Sequence, residues 1–349
     1  MARTLPLALQ TVAAELIEQA GMAQLRTDFP VAGSFHAVTV KDRRYWYFQE
    51  PRQAGGRRSR YVGPDTPELR ALIDRHREAK DDFRQRRQMV SALVRAGLPR
   101  PDPMTGRVLE ALAASGAFRL RAVVVGTVAY QCYPVLIGAS LAAANLMTAD
   151  LDIAQFPSIS VAVDDRLDRP IIEVLRSVDP GFQPVAHVSN PVRVTQYAVG
   201  TRYRIDILAP NRGPDSDEPL RPPALHADGQ PLRFLDYLVY GEIRSIALHA
   251  AGILVNVPAP ERYALHKLLV GRERAASAES QAKARKDQWQ AAELIAVLAT
   301  QRPYELRDAW AELISRGPGW RRRLREAVDL LSPPTRELLV GCVGLPPPS

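Results

Sequence analysis

Three aspartates in this sequence stand where carboxylates are unfavourable unless they have something to do. In "TADLDIAQ", residues 148–155, Asp150 and Asp152 alternate with Leu151 and Ile153. That alternation is the period of a strand with one buried face, and it sends both carboxylates to the same side. In "TRYRIDILAP" Asp206 lies between Ile205 and Ile207, again a lone acid among strand-forming apolar residues. Two carboxylates on one strand and a third on a neighbouring strand suit hard divalent cations, which take oxygen ligands. A pair of Mg2+ (or Mn2+) ions about 4 Å apart can hold a triphosphate, polarise its α-phosphorus and lower the pKa of an attacking hydroxyl. Without a cation, like charges this close oppose each other's ionisation.

The elements that must position these acids can be read along the chain. Residues 5–28 read as a helix, and 31–63 as a β-meander with a turn at Gly55-Gly56. Thr66 can cap a helix that starts at Pro67 and runs to about 97. "GLPRPDP" is a linker, followed by a short helix over 104–115. From 120 onward the texture alternates: strand "RAVVVG", helix 128–146, strand "ADLDIAQF", helix "DRPIIEVLRSV", and a strand pair "RVTQYAV"/"TRYRIDIL" turning at Gly200. A polar, proline-rich loop (212–224) precedes "GILVNVPAPERYALHKLLV", a strand, a proline turn and a helix; 280–342 is helical. This predicts an α/β (α+β) fold, a mixed sheet packed by helices. Its expected parts are a basic helix–meander–helix module (1–100), a core (101–260) and a C-terminal helical region (261–349).

"VVVGTVAY", "TADLDIA" and "YRIDIL" together resemble a bacterial branch of the nucleotidyltransferase superfamily related to DNA polymerase β. The resemblance covers roughly 115–300. It implies that Gly126 and Thr127 form the turn that holds the nucleotide's phosphates, where glycine lets the backbone approach and the helix N-terminus offers amides. Asp150 and Asp152 match the paired metal ligands and Asp206 the third carboxylate. There are two departures. Thr127 stands where serine or glycine is commoner, and 22 residues separate it from Asp150, which we read as an extended first helix. "YALHKLLVGRER" and "KARKDQWQAAELI" are similar to AbiEii-type toxins, in whose pattern Lys267 contacts the triphosphate and Asp287, in a Lys-Asp pair, completes the site. The implied activity is Mg-dependent transfer of a nucleoside monophosphate from a nucleoside triphosphate to a hydroxyl. Transfer to a small molecule or protein stays open, as does a catalytically silent relative that acts as a nucleic-acid-binding or regulatory module.

Charge narrows the partners. Residues 41–100 hold 16 Lys and Arg against 8 Asp and Glu, and the net +8 of this window equals that of the whole chain. Such a field attracts polyanions, which points to an RNA acceptor, tRNA among the toxin-like relatives. The strand "RRYWYFQE" has three readings: aromatics that stack on bases, aromatics that form the small sheet's own core, or a docking surface for a regulatory protein partner. His249 and His266 read as surface or packing residues. Cys132 and Cys342 alone make neither a disulfide framework nor a zinc site, which suits a cytoplasmic location. The 28 uncharged residues between Arg121 and Asp150 are long enough for a bilayer, but Gly126, Gln131, Pro134, Gly138 and Asn145 favour a buried strand and helix, with no membrane span.

Overall fold

The computed structural model describes residues 3–23, 29–50, 59–145, 148–155, 167, 169–211, 216–220, 225, 227–275 and 280–344. A two-residue strand β1 (Arg3–Thr4) leads into helix α1 (Leu7–Ala23). Strands β2 (Ser34–Val40), β3 (Arg43–Gln49) and β4 (Ser59–Pro64) form an antiparallel meander; the Gly55-Gly56 turn lies outside the described residues. Helix α2 (Pro67–Arg95) starts as its sequence dictates. Thr66 caps it by accepting from the Leu69 amide, and Pro67 fills the first turn, where its missing N–H costs nothing. The buried residues of α2 recur at helical spacing, and its two halves do different work. Its N-terminal half sets His76 edge-on against Phe35 and Phe48 of the meander. Its C-terminal half buries Val90 and Leu93 with Leu16 of α1.

The core begins at helix α3 (Pro103–Ala114), capped by Asp102, and strand β5 (Val123–Val125), which runs directly into helix α4 (Gly126–Ile137). Here the expectation of a helix over 128–146 is corrected. The helix stops at Gly138, which takes a left-handed φ of 60°. The next residues form strand β6 (Ala139–Ser140), paired with β1, and a 3-10 turn over Ala142–Asn145. The Leu5 amide donates to the Gly138 carbonyl and fastens this exit to the N-terminus. Among the described residues no helix is long and apolar enough to cross a membrane.

Strand β7 (Asp150–Ala154), helix α5 (Ile171–Val178), strands β8 (Gln183–Ala186), β9 (Val194–Val199), β10 (Tyr203–Pro210) and β11 (Gln230–Leu232) and helix α6 (Leu235–Val239) follow. Six of the strands make one mixed sheet in the order β5-β7-β10-β9-β8, with β11 beside the end of β10. Leu151, Ile153, Ile205 and Ile207 on one face are fully buried in the main hydrophobic core, each worth roughly 1.5–3 kcal/mol of burial. That burial fixes the register, because a slip of one residue would turn the aspartates into the core.

A separate hairpin, β12 (Ile243–Ala247) and β13 (Ile253–Val257), carries Ile246, Leu248 and Leu254 into the cluster shared with α1 and α2. Helices α7 (Pro260–Ala275) and α8 (Gln281–Gln301) pack along each other beside the sheet. Behind them lie α9 (Pro303–Ser315), α10 (Pro318–Asp329) and α11 (Pro333–Val343), whose Leu306, Trp310, Leu313, Leu324 and Leu339 extend the same core.

Candidate active site

Strand pairing sets the acids side by side. β7 and β10 run parallel with Asp152 opposite Asp206 and Asp150 opposite Arg204. On the other side of β7 the antiparallel β5 places Val125 opposite Asp152, so the β5–α4 turn opens at the same edge. Side chains at matched positions of neighbouring strands share a face, and the three carboxylates therefore stand on the face opposite the core. Gly126, the first residue of α4, has φ +64°. A Cβ there would lie 2.1 Å from Asp152 Oδ2, so both the backbone and the close approach require glycine.

These residues line one cleft of about 530 Å³, a size suited to a small ligand. Gly126, Thr127, Asp150, Asp152, Asp206, Lys267 and Asp287 all face it. The structure thus brings together every residue singled out in the sequence, though not in equivalent states. Burial pushes the Asp152 carboxyl up to about 6, and the neighbouring Asp206 adds to the rise while Lys267 opposes it. Burial raises Asp206 as well, against a hydrogen bond of 2.5 Å from Gln196 Nε2 to its Oδ1. Asp150 is exposed at the rim. Among the described residues, no three His, Cys, Asp or Glu side chains close on a single point as they stand. The donor set is nonetheless that of a hard cation: oxygen ligands only, one of them a buried carboxylate whose ionisation its neighbours oppose.

The opposite wall is cationic. Lys267 of α7 is buried and donates to Asp287 Oδ1 of α8 at 2.5 Å, and Arg274 pairs with the other oxygen of that carboxylate. Asp287 is fully buried and holds both cations in place. Burial lowers the Lys267 pKa and Asp287 counters the fall. One residue earlier on α8, Lys286 Nζ reaches Thr127 Oγ1 at 3.1 Å. Tyr263 donates to the Gly126 carbonyl at 2.9 Å and steadies the turn. The N-terminus of α4 has no side-chain cap, which leaves its amides available to an anion. His266 also lies on this wall. Burial and Lys267 hold its pKa down to about 3, so the ring stays neutral and is a poor base.

Sequence reading missed Lys286, Arg274, Lys283, Gln196 and Tyr263, all of which line the cleft. Lys286 had a visible signal, since it neighbours Asp287. Gln196 had none, because only the β9–β10 register sets it opposite Asp206.

Residues 103–315 match the model of a protein family described as a nucleotidyltransferase. Residues 7–71 match a model described as a domain of unknown function. The chain matches no curated protein and no solved structure.

Proposed function

The chain belongs to this nucleotidyltransferase family, and from that premise we propose that it moves a nucleoside monophosphate from a nucleoside triphosphate to a hydroxyl acceptor, in the manner of the DNA polymerase β superfamily. One observation carries the reading: Asp152 stands between Asp206 and the Gly126–Thr127 turn, in a cleft walled on its far side by Lys267, Lys286 and Arg274.

In this mechanism Asp150, Asp152 and Asp206 hold Mg2+ or Mn2+, which when bound offsets the phosphate charge and lowers the pKa of the acceptor hydroxyl. Thr127 and the free amides of α4 grip the phosphates. Lys286, within hydrogen-bond reach of Thr127, adds a charge-assisted contact. Asp287 does not touch the nucleotide. It acts as a positioning residue that keeps Lys267 and Arg274 aimed at the cleft, a reading consistent with the Lys-Asp pattern of AbiEii-type toxins. Asp206, fixed by Gln196, takes the proton of the acceptor. The acceptor oxygen bonds to the α-phosphorus, the bond to the β-phosphate oxygen breaks, and pyrophosphate leaves. The acceptor in this reading is RNA, tRNA included, drawn by the net +8 of residues 41–100.

Incubating the protein with α-labelled triphosphates, magnesium and separate pools of RNA, protein and small metabolites tests the proposal. Label should move to RNA and be lost in Asp152→Asn. Label on another pool would move the acceptor and keep the chemistry; no labelled product with any pool would refute the transferase reading.

Two variants probe the phosphate grip. Lys286→Ala should raise KM for the triphosphate about 10–100-fold with a smaller change in kcat, as expected for the loss of one charged hydrogen bond. An unchanged KM would place the phosphates elsewhere. Gly126→Ala should lose about 1–2 kcal/mol from its left-handed backbone alone, visible as a lower Tm. Its methyl group must also displace Asp152, and a shift of that kind should lower kcat about 100-fold. Wild-type rates would show that the contact does not matter.

A further inference from the structure

The strand "RRYWYFQ" divides its aromatics between two faces of the meander. Trp46 and Phe48 point inward and are buried; Phe48 packs with Phe29, Phe35 and His76 beneath α2. Trp46 Nε1 donates to Asp65, and the Arg44 guanidinium lies 4.7 Å from the indole centre. These residues are the core that so small a sheet needs. The alternate residues, Tyr45 and Tyr47, turn to the other face.

On that outer face the register collects a row of rings. Tyr47 stands opposite both His36 and Tyr61. His36 stacks on Tyr47 with centroids 5.8 Å apart, Tyr47 meets Tyr61 at 5.4 Å, and Tyr45 meets Tyr61 at 6.3 Å. The face is open: Tyr61 is 52% exposed, Val38 39%, and His36 and Arg43 are exposed too. A globular domain ordinarily covers or charges a sheet face rich in rings, and among the described residues this one stays open beside the exposed Lys41 and Arg43. Residues 41–60 hold seven Lys and Arg against two Asp and Glu.

We infer that this tyrosine face of the meander is a docking surface for single-stranded nucleic acid, whose bases stack on Tyr45, Tyr47 and Tyr61 while neighbouring cations meet the phosphates. The inference deepens the proposed function and rests on it for the choice of RNA. Flat rings with a polar tip, in a segment of net positive charge, fit the alternating bases and phosphates of a single strand. Stacking does not read sequence, so the face would hold the acceptor strand and leave selection of the reacting hydroxyl to the cleft.

The test uses the full chain and a short fluorescein-labelled single-stranded RNA, with DNA of the same sequence as a second probe, followed by fluorescence anisotropy at low and high salt. Tyr47→Ala/Tyr61→Ala should weaken RNA binding about 100-fold, about tenfold for each lost stacking partner. Tyr47→Phe/Tyr61→Phe, which keeps both rings, should bind within a few-fold of wild type. Affinity should fall steeply with salt. Equal binding of DNA would keep the surface and remove only the preference for RNA. Wild-type affinity in the alanine pair, an equal loss in the phenylalanine pair, or no binding of either probe by the wild-type chain would overturn the inference. Triphosphate binding measured on the same variants separates the two claims: the alanine pair should retain it, and its absence from the wild-type chain would count against the cleft and not against the face.

Discussion

Asp152→Asn is expected to lower nucleotidyl transfer by about 10³-fold, some 4 kcal/mol of transition-state stabilisation, while raising the Tm of the metal-free protein. The two effects have one cause. The Asp152 carboxylate is buried beside Asp206, and both features oppose its ionisation, so its pKa is pushed up to about 6. In the unfolded chain it titrates near the ordinary 3.8. As pH rises between these values, the unfolded state gives up a proton that the folded state still holds. Stability therefore falls over that window and stays lower above it. Asparagine removes this slope, so the gain in Tm should be present near neutral pH and absent below about pH 4. A divalent cation bound at Asp152 must displace the same proton, and magnesium affinity should decline as pH drops through about 6. Thermal melts and transfer assays on one preparation check both halves. A variant that loses Tm as well as activity would mean that the carboxylate is structural.

The second large effect concerns stability. Asp287→Ala should destabilise the fold by about 3–5 kcal/mol, because it leaves the buried Lys267 ammonium and the Arg274 guanidinium without their shared carboxylate. The side chain of Lys267 is 10% exposed and cannot turn to water without moving α7 against α8. Adding Lys267→Met to Asp287→Ala should recover part of the loss, since it removes the stranded charge. Urea midpoints for the two single variants and the double variant give the coupling directly. If Asp287→Ala matched wild type in urea, the triad would not hold these helices together.

The acids were legible in the sequence because a charge between two buried aliphatics in a strand has few explanations. Asp152 and Asp206 carry that local signature, and Asp150 shares the alternation from the first position of the strand. Their adjacency is another matter, because parallel pairing of β7 with β10 joins residues more than fifty apart, and no local pattern states the register. The stretch "ASLAAAN" shows the opposite failure. Its alanines favour helix, yet the structure spends Ala139 and Ser140 on a strand with Arg3 and Thr4 from the far end of the chain, after Gly138 has turned the backbone. A non-local partner overrode a local preference. The Lys-Asp pair singled out Asp287 as completing the site, and the structure buries it between Lys267 and Arg274. Lys286, about 100° around the same helix, is the side chain that reaches the turn. In "RRYWYFQ" the alternation declared two faces, and only the position of α2 decided which of them was covered.

The account stands on Asp150, Asp152 and Asp206 gathering around cations that face the Gly126–Thr127 bend. Crystals grown with a non-hydrolysable triphosphate and Mn2+, measured for anomalous scattering, show this directly. Manganese should appear between the three carboxylates, with the phosphates against Gly126, Thr127 and Lys286. Manganese absent from the aspartates, or a triphosphate seated away from that turn, would contradict it.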